Sequence, residues 1–117
     1  YSMHRRYRLR RSTDFELLLR FGKQYRHHLG ILIVRANGES VSRFGFSTSK
    51  RLGKATVRNW AKRRMREVVR PHVDRIEPGW DLLFIARKAM VTAEFSEINY
   101  ALCKLLNQAG LLQTRND

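Results

Sequence analysis

The sequence predicts a single-domain α/β sandwich with the element order α-β-β-β-α-β-α and a small mixed sheet carrying helices packed on it. Two strand-like runs, Leu29 to Val34 and Val41 to Ser47, precede a long segment with helical periodicity. A further run, Asp81 to Ala86, is apolar on both faces and reads as a buried central strand, so a strand–helix–strand crossover lies at the centre of the chain. The chain has 117 residues, 43% of them hydrophobic, which suits one domain over residues 1–117 with a core of its own.

The elements follow in order. Arg5, Arg6, Arg8, Arg10 and Arg11 make the first dozen residues a basic arm, expected to be flexible until something anionic orders it. Thr13-Asp14-Phe15-Glu16 has capping-box spacing, with Thr13 as cap and Glu16 reaching back. Phe15, Leu18 and Leu19 then give helical spacing up to a stop at Gly22. Residues Tyr25 to His28 either extend the first strand backwards or form a short strand of their own. Asn37-Gly38 lies between the two strand-like runs and predicts a hairpin joining them.

The next helix runs from about Ala55 to His72. Val57, Ala61, Met65 and Val68 share one face and Arg58, Asn59, Lys62, Arg63, Arg66 and Arg70 another, so the helix can dock on the sheet with a cationic ridge outward. Arg64 falls near the apolar face and can snorkel from it. Pro71 weakens the last turn. Pro78-Gly79 marks a turn, and a closing helix runs from about Glu94 to Gln108 with Phe95, Ile98, Leu102, Leu105 and Leu106 as its stripe and Gly110 as its stop.

Charge narrows the function. The formal net charge is +14 and the isoelectric point about 11.2. Nine Lys or Arg residues stand between Lys50 and Arg70 against one acid, Glu67. Such a ridge repels itself unless a polyanion lies along it. A membrane is the weaker partner, because no apolar run approaches the ~20 residues of a spanning helix and no signal-peptide pattern is present. The lone Cys103 fits a reducing, cytoplasmic compartment.

A protein-borne active site finds little support. Asp74, Glu77 and Asp81 are the one tight acidic group, and they flank a Pro-Gly turn that reads as a solvated loop. His27 and His28 are neighbours in a strand-like run and point to opposite faces, so they make poor joint ligands. Cys103 reads as a packed thiol rather than a nucleophile. Nucleic-acid binding fits better, with arginine forks for phosphate and rings for the bases of a single strand. Phe15 follows the basic arm directly, and Tyr7, Phe21 and Tyr25 are near it in sequence. For Phe15, Phe21, Phe44 and Phe46 core packing is the competing reading. Asn59 can serve a base edge, a ribose hydroxyl or a hydrated metal ion, or simply be satisfied by water.

The segment from Phe44-Gly45-Phe46-Ser47-Thr48-Ser49-Lys50-Arg51 through Lys54-Ala55-Thr56-Val57-Arg58-Asn59-Trp60-Ala61-Lys62-Arg63-Arg64-Met65-Arg66 resembles the signature of the bacterial ribonuclease P protein subunit. That family carries a Gly-x-Ser-x-Ser-Lys-Lys/Arg strand followed by a Lys-Ala-Val-x-Arg-Asn-Arg-x-Lys-Arg-x-x-Arg helix. Arg8 to Phe15 is similar to its arm and first helix, and Asp81 to Lys88 to its last strand.

The resemblance implies an accessory subunit of an RNA-based endoribonuclease. Such a subunit binds the ribonuclease P RNA and the single-stranded 5′ leader of precursor tRNA, while Mg2+ acts through the RNA. It implies no catalytic residue and no metal ligand in the protein, no obligate protein partner, and a left-handed crossover through the basic helix. Carried onto this sequence, Lys50, Arg51, Lys54, Arg58, Asn59, Lys62, Arg63 and Arg66 are the RNA-binding set, and Phe15, Arg8 and Arg10 the leader-binding set. The alternative is a stand-alone RNA-binding or ribosome-associated protein without a role in cleavage. Two places depart from the family pattern. Trp60 stands where an arginine is expected and can pack or stack at the edge of the apolar arc. Leu19 stands where relatives can have a second cleft aromatic.

Overall fold

The computed structural model describes residues 8, 9 and 11–113. The expected order holds across them: α1 (Ser12–Phe21), β1 (Lys23–Arg26), β2 (Gly30–Ala36), β3 (Arg43–Thr48), α2 (Ala55–Val69), β4 (Trp80–Ala86) and α3 (Phe95–Ala109). Short 3-10 turns at Lys50–Leu52, Arg70–Arg75 and Lys88–Thr92 join them. The sheet is mixed, in the order β1-β2-β4-β3. β4 runs antiparallel to β2, with Leu32 opposite Phe84, and parallel to β3, with Phe44 opposite Leu82.

Residues Tyr25 to His28 divide between strand and turn. β1 is a separate strand antiparallel to β2, with Tyr25 opposite Leu32. His27 and His28 therefore do not continue a strand. They form the β1–β2 turn, where the Leu29 N–H donates to His27 Nδ1 at 3.1 Å.

The hairpin expected at Asn37-Gly38 does not form, because β4 lies between β2 and β3. The dipeptide still turns the chain: Gly38 has φ +70°, and Asn37 Oδ1 accepts the Glu39 N–H at 2.7 Å. The Asn37 N–H, however, donates to the Gly79 carbonyl at 2.9 Å, which ties the end of β2 to the start of β4. The turn chemistry is local, whereas strand pairing is decided by burial. A β4 apolar on both faces belongs in the middle of the sheet.

Each face of the sheet has its own core. Leu32, Val34, Phe44, Leu82, Phe84 and Ala86 meet Ala61, Met65, Val68 and Val69 of α2 and Ile98, Leu102, Leu105 and Leu106 of α3. On the other face Ile33 and Leu83 meet Leu9 and Leu18, with Phe15, Ile31 and Ile85 at the margin. β4 is thus covered on both sides.

The helix ends differ from expectation in two places. Arg11 holds the cap position of α1 without a side-chain hydrogen bond, and Thr13 lies inside the helix, so no capping box closes there. The capping box is on α3, where the Glu94 N–H donates to Glu97 Oε1 at 3.0 Å. α2 stops at Val69, short of His72, and Pro71 sits in the first turn of the 3-10 segment that follows. Proline has no N–H for the α-helical ladder and crowds the carbonyl four residues back, so the tighter turn takes over.

Candidate nucleic-acid interface

A cleft runs along the outer side of β3. It is lined by Arg8, Leu9, Phe15, Phe44, Gly45, Phe46 and Arg66 and encloses about 100 Å³. The end of the basic arm builds one wall: Leu9 is buried, its N–H donates to the Phe44 carbonyl at 2.9 Å, and Arg8 bridges to Phe44 in parallel. Arg8 and Leu9 of the basic arm are thus laid along β3. Arg10 lies outside the described residues, as do residues 1–7.

Gly45 is the floor. A Cβ there would stand 3.0 Å from both Leu9 Cδ1 and Phe15 Cε1, so glycine lets both side chains close on the strand. Phe46 stacks on Phe84 with ring centroids 5.6 Å apart, and the Arg66 guanidinium lies 5.6 Å from the Phe46 centroid.

The cleft is cationic. Burial, and then the charge of Arg8, push the Arg66 pKa below its ordinary value. Arg8 and Arg66 both line the groove and no acid is among its described lining residues, so its charge is complementary to an anion. Arg66 was expected on the outward ridge, but the structure puts it in the cleft wall. β3 is the edge strand of the sheet, and Arg66, on the margin of the polar face of α2, lies over its Phe46.

The rest of the ridge behaves as a polar face. Asn59 and Arg63 are exposed, Arg58 and Lys62 half-buried, and Lys50, Arg51 and Lys54 exposed at the approach to α2. Among the described residues none of Arg58, Lys62, Arg63 or Arg66 is within ion-pair distance of an acid. α2 also has no acid in its first turn. The positive end of its dipole therefore adds to Lys54 and Arg58 instead of being neutralised. Arg58 Nε is shielded from solvent and has no hydrogen-bond partner among the described residues, a state that a phosphate oxygen would relieve.

Trp60 has a packing role. It lies against the main core, and the Arg64 guanidinium lies 5.5 Å from its ring and 5.4 Å from that of Phe95. Arg64 also pairs with Glu67 at 3.5 Å. The tryptophan thus recruits a neighbouring arginine to the α2–α3 seam. Leu19 is 56% exposed, one turn after Phe15.

Of the acidic group, Asp81 is not in a solvated loop. It is 3% exposed and locked by Arg43, whose Nε and Nη2 donate to its two oxygens at 2.9 and 2.8 Å. Among the described residues no three His, Cys, Asp or Glu side chains converge as a metal site. His72 Nε2 lies 3.3 Å from Cys103 Sγ and 3.2 Å from Asn99 Oδ1. Both contacts use one ring nitrogen, so the imidazole cannot be oriented by Asn99 while serving Cys103, as a nucleophile–base pair requires. Burial also raises the thiol pKa, which makes Cys103 a packed thiol.

Leu9, Gly45 and Phe46 line the cleft, and none of them is in the RNA-binding or leader-binding sets drawn from the sequence. The one available signal was Gly45, a glycine between two phenylalanines in a strand, which marks a close approach.

The fold matches that of known proteins. The family model described as Ribonuclease P matches residues 3–110. A ribonuclease P protein component of Clostridium kluyveri is 39% identical over 107 residues, covering 90% of this chain and 96% of the relative. That of Roseiflexus castenholzii is 39% identical over 112 residues, covering 95% and 92%. Among solved structures, a Staphylococcus aureus RNase P protein superposes with a TM-score of 0.83 at 28% identity, covering 92% of this chain and 98% of that one. The Thermotoga maritima RNase P protein gives 0.79 at 33% identity, covering 86% and 96%. With a family model matching residues 3–110, relatives 39% identical over nearly the whole chain and solved structures of the same fold, the chain belongs to the ribonuclease P protein family.

Proposed function

We propose that the cleft between α1 and α2 takes the single-stranded 5′ leader of precursor tRNA while the outer face of α2 grips the ribonuclease P RNA. The chain is the protein subunit of an RNA-based endoribonuclease that matures tRNA 5′ ends. On this reading cutting belongs to the RNA, and Mg2+ bound by the RNA would supply the Lewis-acid chemistry for it. The protein's own contribution is binding: it holds the leader in register so that the scissile bond is presented with little loss of freedom in the transition state.

The observation that carries this reading is the composition of the cleft. Phe15 offers a ring for a base, Arg8 and Arg66 offer two cations for phosphates, and no acid is among the described residues that line the groove. Arg10 is assigned to the same leader set from the sequence. Lys50, Arg51, Lys54, Arg58, Asn59, Lys62 and Arg63 form the second set, toward the RNA subunit, with Arg66 shared by both. Phosphate contacts of this kind weaken affinity by roughly 0.7 to 0.9 log units per log unit of salt for each phosphate neutralised.

The reading takes the chain as one RNA-binding domain of the cytoplasm. No helix among the described residues is long and apolar enough to cross a membrane, and a lone cysteine suits a reducing compartment.

The test is reconstitution. Added to a ribonuclease P RNA at modest Mg2+, the chain should raise affinity for leader-bearing precursor tRNA and speed cleavage, with little effect on leaderless tRNA. An equal effect on both substrates contradicts leader binding, and no effect on cleavage contradicts the subunit role in this pairing.

A further inference from the structure

The first turn of α1 has no side-chain cap, yet it carries Phe15. What holds it is Arg43. Two nitrogens of this guanidinium are engaged by Asp81, and the third, Nη1, donates to Asp14 Oδ2 at 3.3 Å. Asp81 is itself fixed, since Asn37 Nδ2 donates to its Oδ1 at 2.9 Å. The fork is therefore anchored in the sheet and reaches α1 at the residue just before Phe15. Phe15 in turn stands against the Gly45 floor, with Cε1 3.0 Å from where a Cβ would be.

We infer that Arg43 is a positioning residue for leader binding: through Asp14 it fixes the first turn of α1, and so the placement of Phe15 over the cleft. Neither Arg43 nor Asp14 lines the cleft. The inference rests on the leader-binding reading of that cleft. Three donors in a rigid plane let one side chain join β3, β4 and α1, and a lysine has no such fork.

Charge gives this proposal a sign of its own. Asp14→Ala removes a negative charge beside a groove for a polyanion, and Coulomb's law alone then predicts tighter RNA binding. Positioning predicts the opposite. Glu16→Ala removes the same charge from an exposed site on the same helix and is the matched control.

The experiment uses holoenzyme reconstituted with ribonuclease P RNA, and measures Kd for precursor tRNA with a leader and for leaderless tRNA. Asp14→Ala should weaken the leader-dependent part of affinity by about fivefold, a fraction of what one base–ring stack contributes. Affinity for leaderless tRNA and for the RNA subunit should not change. Arg43→Lys should reproduce that loss, and Glu16→Ala should not. The Asp14→Ala/Phe15→Ala double variant should be no weaker than Phe15→Ala alone, because both act through the same ring. If Phe15→Ala weakens leader binding while Asp14→Ala leaves it unchanged or tightens it, the positioning role is overturned, even if the melting temperature falls. Additive losses in the double variant overturn it as well. If Phe15→Ala itself leaves leader dependence intact, the leader-binding reading of the cleft falls, and the role of Arg43 with it.

Discussion

Arg43 and Asp81 stand opposite each other where β3 and β4 run parallel, and close a two-point ion pair with contacts of 2.9 and 2.8 Å. The hydrogen bond to Asp81, outweighing the cost of burial, raises the Arg43 pKa above its ordinary value. Asp81 is 3% exposed, so removing its partner strands a carboxylate with no water to solvate it. Arg43→Ala should cost about 3 kcal/mol of unfolding free energy, the usual scale for breaking a buried pair from one side. Urea denaturation measures this directly. A loss below about 1 kcal/mol would mean that the pair behaves as a surface one.

Gly45→Ala tests the cleft floor. Its Cβ would press on Leu9 and Phe15 at 3.0 Å and on Leu83 at 3.2 Å, so the chain must move one of the side chains that form the cleft. We expect a stability loss of roughly 1 kcal/mol, the low end for overpacking, together with weaker binding of leader-bearing substrate. Unchanged leader affinity would show that the close approach at Gly45 has no bearing on binding.

Trp60→Arg restores the family's basic pattern on α2 and removes a ring that packs against the core and holds Arg64. The steepness of the log–log salt dependence of RNA-subunit binding should rise by about 0.7 to 0.9 if the new cation meets one phosphate. Stability should fall by roughly 1 kcal/mol through the lost cation–π contact and packing. An unchanged salt slope would mean that position 60 faces α3 rather than RNA in the complex.

His27 gives the fold a pH dependence unrelated to RNA. Its neutral Nδ1 accepts the Leu29 N–H, and burial, then Lys104 and His28, lower its pKa below 6.5. The folded chain binds this proton less readily than the unfolded chain. The contribution is therefore present above pH 6.5 and lost as pH falls through the lower folded-state value. His27→Asn does not titrate and should flatten the stability curve between about pH 7 and pH 5. An identical slope in the variant would contradict the assignment.

Much of this was legible in the sequence. Periodicity located three helices and the central strand, because 3.6-residue and two-residue patterns are local. It also set the apolar back of α2 against the sheet, with Ala61, Met65 and Val68 all buried. Local signals could not say which strands pair. Asn37-Gly38 makes a turn whose flanking strands are separated by β4, a choice fixed by residues more than forty positions away.

The same limit hid part of the site. Asp81 looked solvated because it follows Pro78-Gly79, and only its register with Arg43 buries it. Arg66 fits a ridge by helical wheel, but the edge of the sheet turns it into the cleft with Phe46. Leu9 reads as one apolar residue in a basic arm until Phe44 accepts its N–H.

The central claim is that this chain presents two separate RNA surfaces, the cleft at Phe15 and the outer face of α2 at Arg58. The most direct test places a photo-cross-linker at position 15 and, separately, at position 58 in reconstituted holoenzyme bound to precursor tRNA. Position 15 should cross-link to the 5′ leader and position 58 to the RNA subunit. Cross-links from position 15 to the RNA subunit alone, or from both positions to the same strand, would contradict it.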